Sequence, residues 1–386
     1  MPGVSFGDNG GMTSASHSSA SAEPFEGLRI RGVAKTFGAD TTVLNEIDLD
    51  VHPGELISLV GSSGTGKSTL LRIIAGLEEP SAGRVTYAGQ PLERGSVGVV
   101  FQRPILYPHL SVKDNILFPT RLGAFAGRVD VDYYRELLEA LKLEGLESRK
   151  PSQLSGGQAQ RVGIARALIR RAPVVLFDEP LASVDEEMSA SIRADIVRLH
   201  ERYGFTGLYV THDQNEALML GQRVAVMDAG YLVQVDTPER LLAHPHTLQV
   251  AKLMAAPALN LLALEDSKFL PAGCELAIRA TALCPVAAEA AHSLPVQVLG
   301  SRHLVGGMLY RARLLEAVSL PLESRRASAD SELSARMYAR VRAGQELEFF
   351  IPDAQGGTSL SVGDRVHLGV AAERCFLFSK GKRFYL

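Results

Sequence analysis

Cysteine is scarce in this sequence. Only Cys274, Cys284 and Cys375 occur among 386 residues, and all three lie late in the chain. The number is odd and no Cys-x-x-Cys pair is present, which argues against both a disulfide framework and a cysteine zinc site. We therefore expect a reducing compartment and three unreactive thiols in the protein core.

Long apolar runs are absent as well. No stretch of eighteen consecutive apolar residues occurs, so no membrane-spanning helix is predicted. Residues 1–24 contain neither Lys nor Arg and no apolar segment, which does not fit a secretory signal. Their Ser, Gly and Ala content predicts a disordered leader over residues 1–26, and Met12 is a second candidate for the first residue.

The charge of the chain favours no polyanionic partner. Lys and Arg number 40 and Asp and Glu number 43, which gives a net charge of −3. Bulk charge therefore attracts neither nucleic acid nor an anionic membrane. Hydrophobic residues make up 46% of the chain, enough for a sizeable core, and the length allows two or three domains.

The most informative stretch is a glycine-rich loop between a strand and a helix. The apolar run 56–60 predicts a buried parallel strand, and residues 70–75 predict a short helix that ends at Gly76. The loop between them contains Gly61, Ser62, Ser63, Gly64, Thr65, Gly66, Lys67, Ser68 and Thr69. Strand, glycine loop and helix in this order are the context of a phosphate-binding loop.

The residue types of this loop suit a polyphosphate. Glycines let backbone N–H groups turn inward without Cβ clashes, and the helix N-terminus adds about half a positive charge. Lys67 is placed to reach the β and γ phosphates, and the Ser68 hydroxyl to ligate Mg²⁺. The alternative is a Gly- and Ser-rich turn that precedes a lysine by chance, and the flanking strand and helix disfavour it.

Polar residues also follow three other predicted buried strands. Gln102 follows the run 97–101, Asp178 and Glu179 follow 174–177, and His212 follows 208–211. Ligands of open α/β sheets bind at the carboxyl ends of the strands. We expect Mg²⁺ at Asp178, because adjacent buried carboxylates need a partner, whereas Glu179 faces the other way and can orient a water. A histidine after a strand is, taken alone, more often an ordinary loop residue.

Two further features have more than one interpretation. Ser155 is a candidate N-cap of a helical run over 159–169, and the small residues after it leave N–H groups open to an anion. An ordinary capped helix is the commoner explanation of such a stretch. Phe37, in a segment between the first two predicted strands, is either a core residue or a platform on which a flat base stacks.

The remaining patterns define the organisation of the chain. Residues 103–150 look helical and amphipathic, with breaks at Pro104, Pro108 and Pro119 and the clearest helix over 133–141. The alternation of residues 43–51 predicts a half-exposed antiparallel strand, and Gly230 predicts a hairpin turn between two strands. In the last third, β-like runs lie at 276–279, 296–299, 347–351 and 365–370, and residues 324–331 look like a polar insert.

Together these motifs resemble those of the ATP-binding-cassette ATPases. The family order is a Walker A phosphate loop, Gln102, the signature Leu154-Ser155-Gly156-Gly157-Gln158, Asp178-Glu179 and His212. The likeness is greatest to the ATPase subunits of bacterial importers of the maltose and glycerol-phosphate type. It is strong over residues 28–260 and weak over residues 270–386.

The resemblance implies the fold class. Residues 27–256 would form an α/β nucleotide-binding domain with a RecA-like core, an antiparallel β-subdomain and a helical subdomain. Residues 257–386 would form a regulatory, all-β, OB-like domain of the TOBE type. An OB-like barrel does not indicate nucleic-acid binding here, given the net charge.

The resemblance also implies roles for the residues, with ATP and Mg²⁺ as the bound cofactors. Phe37 would stack on adenine, and Gly61 through Thr69 would hold the phosphates. Ser68, Gln102 and Asp178 would meet Mg²⁺. The catalytic residues would be Lys67, Gln102, Glu179 as the general base and His212 at the γ-phosphate.

A second copy of the subunit would complete each site. Ser155, Gly156, Gly157 and Gln158 would bind the γ-phosphate of ATP held by the other copy, and Asp185 would lie in the loop that bridges the two sites. These roles are implied by the resemblance, and they make hydrolysis depend on a dimer.

The function implied is that of an ATP-hydrolysing motor on the cytoplasmic face of the cell membrane. Its partners would be separate membrane permease subunits and, indirectly, an extracytoplasmic solute-binding protein, with no nucleic acid. The solute would be a sugar or a glycerol-phosphate-like compound, and polyamine, ferric iron or an inorganic anion stay open. Other hypotheses are a soluble cassette ATPase that acts on DNA or ribosomes, and a regulatory module that sequesters a protein through its C-terminal domain.

Overall fold

The computed structural model describes residues 25–38, 40–121, 129–265, 270–290, 292–322, 337–353, 359–371 and 374–384. Most of the predicted leader and the predicted polar insert at 324–331 lie outside this range. The last two leader residues are described, and the Phe25 ring lies 5.4 Å from the His52 ring. No helix in the described ranges is long and apolar enough to cross a membrane.

In the described residues of the first part of the chain, ten strands form two sheets. They are β1 (Leu28–Phe37), β2 (Thr41–Val51), β3 (Leu56–Val60), β4 (Ala82–Tyr87), β5 (Gln90–Pro91), β6 (Gly98–Val100), β7 (Val174–Asp178), β8 (Thr206–Thr211), β9 (Arg223–Asp228) and β10 (Tyr231–Asp236). The first sheet is antiparallel, in the order β2-β1-β4-β5. It contains the alternating strand predicted at 43–51, which pairs with β1.

The second sheet is the central one and is mostly parallel. Its order is β10-β9-β3-β8-β7-β6, and only the edge strand β10 runs antiparallel to its neighbour. The non-sequential order places β3 between β8 and β9, and β7 beside β8. Because β3, β6, β7 and β8 are parallel, the residues that follow them all emerge at one edge of the sheet.

The described residues of this part of the chain also form eight α-helices. They are α1 (Lys67–Ile74), α2 (Val112–Leu117), α3 (Val131–Ala140), α4 (Gly156–Leu168), α5 (Glu186–Tyr203), α6 (Gln214–Leu220), α7 (Pro238–Ala243) and α8 (Leu248–Leu253). Side chains alternate along each buried strand. Val175 and Phe177 of β7 therefore pack in the core with helices α2 to α5, whereas Val174 and Leu176 pack with α1 and the antiparallel sheet.

The last third of the described chain is built from strands. They are β11 (Leu259–Ala263), β12 (Cys274–Arg279), β13 (Cys284–Val286), β14 (Leu294–Leu304), β15 (Gly307–Leu314), β16 (Val318–Leu322), β17 (Met337–Val341), β18 (Glu346–Pro352), β19 (Arg365–Gly369), β20 (Cys375–Ser379) and β21 (Lys382–Arg383). They form sheets β11-β12-β20-β21, β13-β19-β14-β15-β18 and β16-β17. One core cluster, which includes Leu276, Val296 and Phe349, joins strands of the two larger sheets.

Three local predictions were wrong. Residues 35–37 continue β1, because Phe37 still pairs with Thr41 of the neighbouring strand. Residues 103–111 contain no helix, although only breaks at Pro104 and Pro108 were predicted there, because two prolines without a backbone N–H lie too close together for a helix to form between them. Cys284 is exposed rather than in the core, because β13 is the edge strand of its sheet.

Candidate nucleotide site

The loop after β3 has the backbone that a phosphate-binding loop requires. Gly64 and Gly66 have φ angles of 81° and 98°, which favour glycine. A Cβ on Gly66 would lie 2.6 Å from Leu44 Cδ2 and 2.8 Å from Val43 O, and a Cβ on Gly61 would lie 2.4 Å from Met227 O. The glycines are therefore needed both for the turn and for the close approach of β2 and β9.

Lys67 is the first residue of α1 and is buried. Its Nζ lies 2.7 Å from the Gly61 carbonyl oxygen and 3.1 Å from that of Ser62, and it donates a hydrogen bond to each. Burial lowers the pKa of the ammonium group, and the charges of Glu179 and Asp178 partly oppose this shift. The positive charge of Lys67 thus lies inside the loop, on the side of the two carboxylates.

Ser68 connects the loop to the end of β7. Its Oγ donates a hydrogen bond of 3.1 Å to Oδ1 of Asp178, which places two of the predicted metal ligands side by side. Burial raises the pKa of Asp178, and the charge of Glu179 adds to the rise, whereas the Ser68 bond and the cations Arg72 and Lys67 lower it. Two hard oxygen ligands beside a polyphosphate loop are the donor set that Mg²⁺ uses, with its other positions taken by water and phosphate.

Glu179 follows β7 with an unusual backbone. Its φ angle is 45°, a left-handed conformation that is uncommon for a residue with a side chain. Its N–H donates to the Val210 carbonyl at 2.9 Å, which ties this turn to β8. Its Oε2 lies 3.2 Å from Nδ1 of His212. The structure therefore brings together the two residues that the sequence placed after neighbouring strands.

A buried network below His212 was missed by the sequence analysis. Glu216 of α6 is 7% exposed, and its Oε2 accepts hydrogen bonds from Thr211 Oγ1 at 2.8 Å and Tyr209 Oη at 3.1 Å. Thr211 Oγ1 in turn accepts from the backbone N–H of Asp213 at 3.0 Å. These contacts fix the segment on either side of His212. The spacing of a strand-end threonine and a glutamate five residues later was the signal available.

Gln102 takes a different position from the other strand-end residues. Its backbone carbonyl accepts a hydrogen bond of 3.2 Å from Ser183 Oγ, and the residue is exposed. The side-chain amide makes no hydrogen bond to Ser68 or Asp178. The segment 180–185 contacts the Gln102 loop through Ser183, and it ends at Asp185, which caps α5 by accepting a 2.9 Å bond from the Met188 N–H. The direct role of Gln102 at the metal stays a prediction.

The signature stretch starts α4 with a capping box. Ser155 Oγ accepts from the Gln158 N–H at 3.2 Å, and Gln158 Oε1 accepts from the Ser155 N–H at 3.0 Å. Ser155 and Gly156 are exposed, whereas Gly157 is buried. A Cβ on Gly157 would lie 2.5 Å from Met188 Cγ, so this glycine also permits close packing of α4 and α5. No bond of this cap reaches the phosphate loop.

Phe37 ends β1 and is 43% exposed, so the interpretation as a core residue is wrong. Its ring has the Lys35 Nζ 4.9 Å from the centroid. An exposed aromatic face remains available for a heterocycle. Stacking on a base stays a prediction for this residue.

The described part of the chain thus has one strand-edge site. It contains a glycine loop with an internal lysine, a Ser–Asp oxygen pair and a Glu–His pair. The arrangement can hold a polyphosphate, neutralise its charge and deprotonate a water nearby. The signature stretch, the Gln102 amide and Phe37 lie outside these hydrogen-bonded groups.

Comparisons with known proteins agree with this geometry. The sequence profile of the ABC transporter family matches residues 44–182. The chain is 45% identical over 241 residues to the sn-glycerol-3-phosphate import ATP-binding protein UgpC 1 of Rhizobium johnstonii, a match that covers 61% of this chain and 65% of that protein. It is 43% identical over 244 residues to the protein of the same name, UgpC, from Escherichia coli O6:K15:H31, which covers 61% of this chain and 68% of that protein.

The matches therefore span about two thirds of the length of these curated relatives. Among solved structures, cbiO1 of Clostridium perfringens, described as part of the ABC transporter complex cbiONQ, has a TM-score of 0.51 and 27% identity. That likeness covers 57% of this chain and 92% of the other. It supports the fold of the nucleotide-binding part of the chain.

Proposed function

This chain belongs to the ABC transporter family of ATP-binding proteins, and on that premise we propose that it is the ATP-hydrolysing subunit of an importer. The main support for the proposal is the set of contacts at the edge of the central sheet. There, the Ser68–Asp178 bond and the Glu179–His212 contact both lie beside the buried Lys67. Binding of a nucleotide alone would not need a carboxylate paired with a histidine at that position.

ATP would bind along the loop Gly61–Thr69. Backbone N–H groups and Lys67 neutralise the phosphates, and Phe37 supports the adenine ring. Ser68, Asp178 and Gln102 would hold Mg²⁺, which supplies charge neutralisation on the phosphate oxygens. The exposed Gln102 side chain forms no hydrogen bond to Ser68 or Asp178, so its contact with the metal would have to form when ATP binds.

Glu179 accepts the proton of the attacking water. Its carboxylate is held by His212 at 3.2 Å, and the His212 side chain is largely exposed, so it remains free to contact a γ-phosphate. The buried Glu216 network keeps the histidine segment in place. The reaction needs positioned charges more than covalent chemistry, and this chain supplies them from three neighbouring strands.

We further propose that a second copy of the chain completes each site. Ser155 and Gly156 are exposed at the start of α4, where open N–H groups favour an anion. No cis contact joins them to the phosphate loop in the described residues. The γ-phosphate bound by one copy would therefore meet Ser155 to Gln158 of the other, with Asp185 in the connecting loop.

The physiological setting follows from the import proteins that this chain matches. The subunit would sit on the cytoplasmic face of the membrane and dock on permease subunits through residues 103–121, which follow Gln102. A solute-binding protein would act on the other side. Glycerol 3-phosphate or a sugar is the proposed solute. The β-rich region 257–386 would be an OB-like regulatory domain of the TOBE type.

A concentration series tests the dimer and the hydrolysis together. Phosphate release from Mg-ATP, measured per subunit, should rise with subunit concentration, because each site needs two copies. Turnover that is independent of concentration in a protein shown to be monomeric would contradict the proposal.

A cross-link tests the trans contact without relying on activity. Ser62 and Ser155 are both exposed, and Cys284 can be removed as the exposed native thiol. In a Cys284→Ser background, Ser62→Cys combined with Ser155→Cys should give a disulfide-linked dimer only when ATP is present. The same protein with Ser152→Cys in place of Ser155→Cys is the control.

Transport is tested in the reconstituted assembly. Vesicles that contain this chain and the permease subunits of a glycerol 3-phosphate or maltose importer should take up that solute at the expense of ATP. Uptake of a polyamine, ferric iron or an inorganic anion instead would reassign the solute but keep the motor. Salt-sensitive binding of nucleic acid without permease binding would favour the soluble ATPase.

A further inference from the structure

A cavity of about 730 Å³ lies between the nucleotide-binding part and the β-rich part of the chain. One wall is formed by α6 and α7 and the residues that follow α7. The other is formed by the end of β12 and by β20 and β21. Its volume is in the range of small-molecule sites. It is separate from the strand-edge site, since no residue of the phosphate loop lines it.

Three arginines from different segments of the β-rich part face this cavity. They are Arg279 at the end of β12, Arg374 just before β20 and Arg383 at the end of β21. The guanidinium groups of Arg279 and Arg383 lie 5.0 Å and 4.4 Å from the centroid of the Phe376 ring. One aromatic side chain thus holds two like charges close together at one wall.

Negative charge at this cavity is sparse. Glu239 of α7 is the one carboxylate among the described lining residues, and His244 after α7 is the other titratable group on that wall. Neither Arg279 nor Arg374 forms an ion pair with any described carboxylate. Two segments of the chain that approach each other with unneutralised cations are unfavourable unless an anion lies between them.

Arg279 shows this excess of charge most directly. Its Nη1 donates to the Leu242 carbonyl at 2.8 Å, whereas Nε and Nη2 are buried without a hydrogen-bond acceptor in the described residues. Burial lowers the pKa of Arg279 to about 10, and the charges of Arg383 and Arg374 add to the shift. Buried donors without partners are destabilising, so a ligand that supplies oxygen acceptors is expected here.

We propose that this cavity binds a small organic anion whose phosphate or carboxylate group contacts Arg279, Arg374 and Arg383. The planar forks of arginine match both oxyanions. The rest of the lining includes Leu218, Met254 and Phe384, which accommodate a carbon body and make the site larger than a free inorganic ion needs.

Occupancy of the cavity reaches the nucleotide site through α6. Gln214, Asn215 and Leu218 line the cavity, and the same helix begins two residues after His212 and contains Glu216. A ligand seated against α6 therefore restrains the segment that carries the histidine. Neither the binding of an anion in the cavity nor its effect on the His212 segment depends on whether the chain imports a solute.

Binding is measured on the full chain with the phosphate loop filled by a non-hydrolysable ATP analogue and Mg²⁺, so that the probe does not enter that loop. Glycerol 3-phosphate, citrate and inorganic phosphate are titrated separately by calorimetry. We expect saturable binding of at least one organic anion. Arg374→Gln should weaken it about tenfold or more, because Arg374 is exposed at the rim and its loss does not disturb the core.

The matched control is Arg365→Gln, which removes an exposed arginine of β19 in the same region. It should leave binding unchanged. Arg279→Lys retains charge but loses the fork, and it should weaken binding with little change in melting temperature. Hydrogen exchange with the bound anion should show slower exchange in α6.

Three results would overturn the proposal. The first is no saturable binding of any organic anion at millimolar concentration. The second is equal weakening by Arg365→Gln and Arg374→Gln, which would indicate non-specific charge. The third is binding of inorganic phosphate as tight as that of the organic anions, without slower exchange in α6, which would indicate an ion on the surface.

Discussion

The strand-edge site and the start of α4 differ in how many of their polar groups find hydrogen-bond partners within one copy of the chain. At the strand edge, Lys67, Ser68, Glu179 and His212 all have hydrogen-bond partners within the same copy. At the start of α4, Ser155 bonds only within its own helix in the described residues, through the Ser155–Gln158 capping box and the bond from the Ala159 N–H to its carbonyl. One surface is internally organised, and the other presents exposed backbone groups of a helix N-terminus.

The difference has a physical origin. The parallel sheet brings residues 61–69, 178, 179 and 212 to one edge, whatever their distance in sequence. A helix terminus has no such neighbours, and its first N–H groups stay open unless a cap or an anion meets them. A composite site made from one surface of each kind can assemble and separate without disturbing either fold.

The largest expected effect lies at Glu179. Glu179→Gln keeps the size and hydrogen-bonding capacity of the side chain but removes the base, so ATP turnover should fall about 10²- to 10⁴-fold, while ATP still binds and the dimer persists. Phosphate release, nucleotide titration and gel filtration measure the three properties. Glu187→Gln, in the first turn of α5, is the control, and a Glu179→Gln protein with near-normal turnover would mean that another group is the base.

Substitutions at the strand-edge site and at the start of α4 should affect different properties, ATP affinity in the first case and turnover in the second. Lys67→Ala should weaken ATP binding itself, by roughly ten- to a hundredfold, because a charge-assisted contact is lost. Ser155→Ala combined with Gly157→Ala should leave ATP affinity of the single subunit unchanged and lower turnover about a hundredfold. Equal loss of affinity in both proteins, measured by nucleotide titration, would show that the signature stretch acts within one copy.

Substitutions at Gly157 can distinguish a packing role of the signature stretch from a role in ATP hydrolysis. Gly157→Ala should lower the free energy of unfolding by about 1 kcal/mol or more, because the added Cβ meets Met188. Adding Met188→Ala should remove that strain in thermal unfolding, yet turnover should stay low if the glycine backbone meets a phosphate of the partner copy. Full recovery of turnover in the double variant would assign Gly157 to packing alone.

The smallest effect on turnover is expected below His212. Thr211→Val removes the hydroxyl that bonds Glu216 and receives the Asp213 N–H, so the free energy of unfolding should fall by about 1 to 3 kcal/mol. KM for ATP should stay constant and kcat should fall a few-fold, since the histidine is positioned less firmly. Thr211→Ser keeps the hydroxyl and should retain most of the free energy of unfolding and most of kcat. A change in KM alone would contradict a positioning role.

The strand-edge site was predictable because its signals are local. The apolar runs before Asp178 and His212 fixed which residues end neighbouring strands, and the ABC transporter family assignment was confirmed by the comparisons. The exposure of Cys284 and the extension of β1 to Phe37 were not predictable, because both depend on which strand pairs with which. The orientation of Gln102 depends on the same long-range contacts.

The Arg279 cavity lies beyond sequence patterns altogether. Arg279, Arg374 and Arg383 belong to three segments separated by up to about a hundred positions, and no spacing rule relates them. The pairing of β12, β20 and β21 in one sheet makes them neighbours, and α6 and α7 form the opposite wall of the cavity. Glu216 differs, because the threonine five residues before it was a sequence signal for one of its hydroxyl donors, whereas the Tyr209 donor depends on how α6 packs on β8.

The left-handed backbone of Glu179 has a consequence for how this protein can be altered. A side chain in that conformation carries strain of about 1 to 3 kcal/mol, which the neighbouring β8 carbonyl helps to restrain. Thermal stability and the rate of ATP hydrolysis therefore favour different residues at position 179. Variants selected only for thermal stability should be enriched in glycine or asparagine at this position, and each of them should hydrolyse ATP slowly because it lacks the carboxylate.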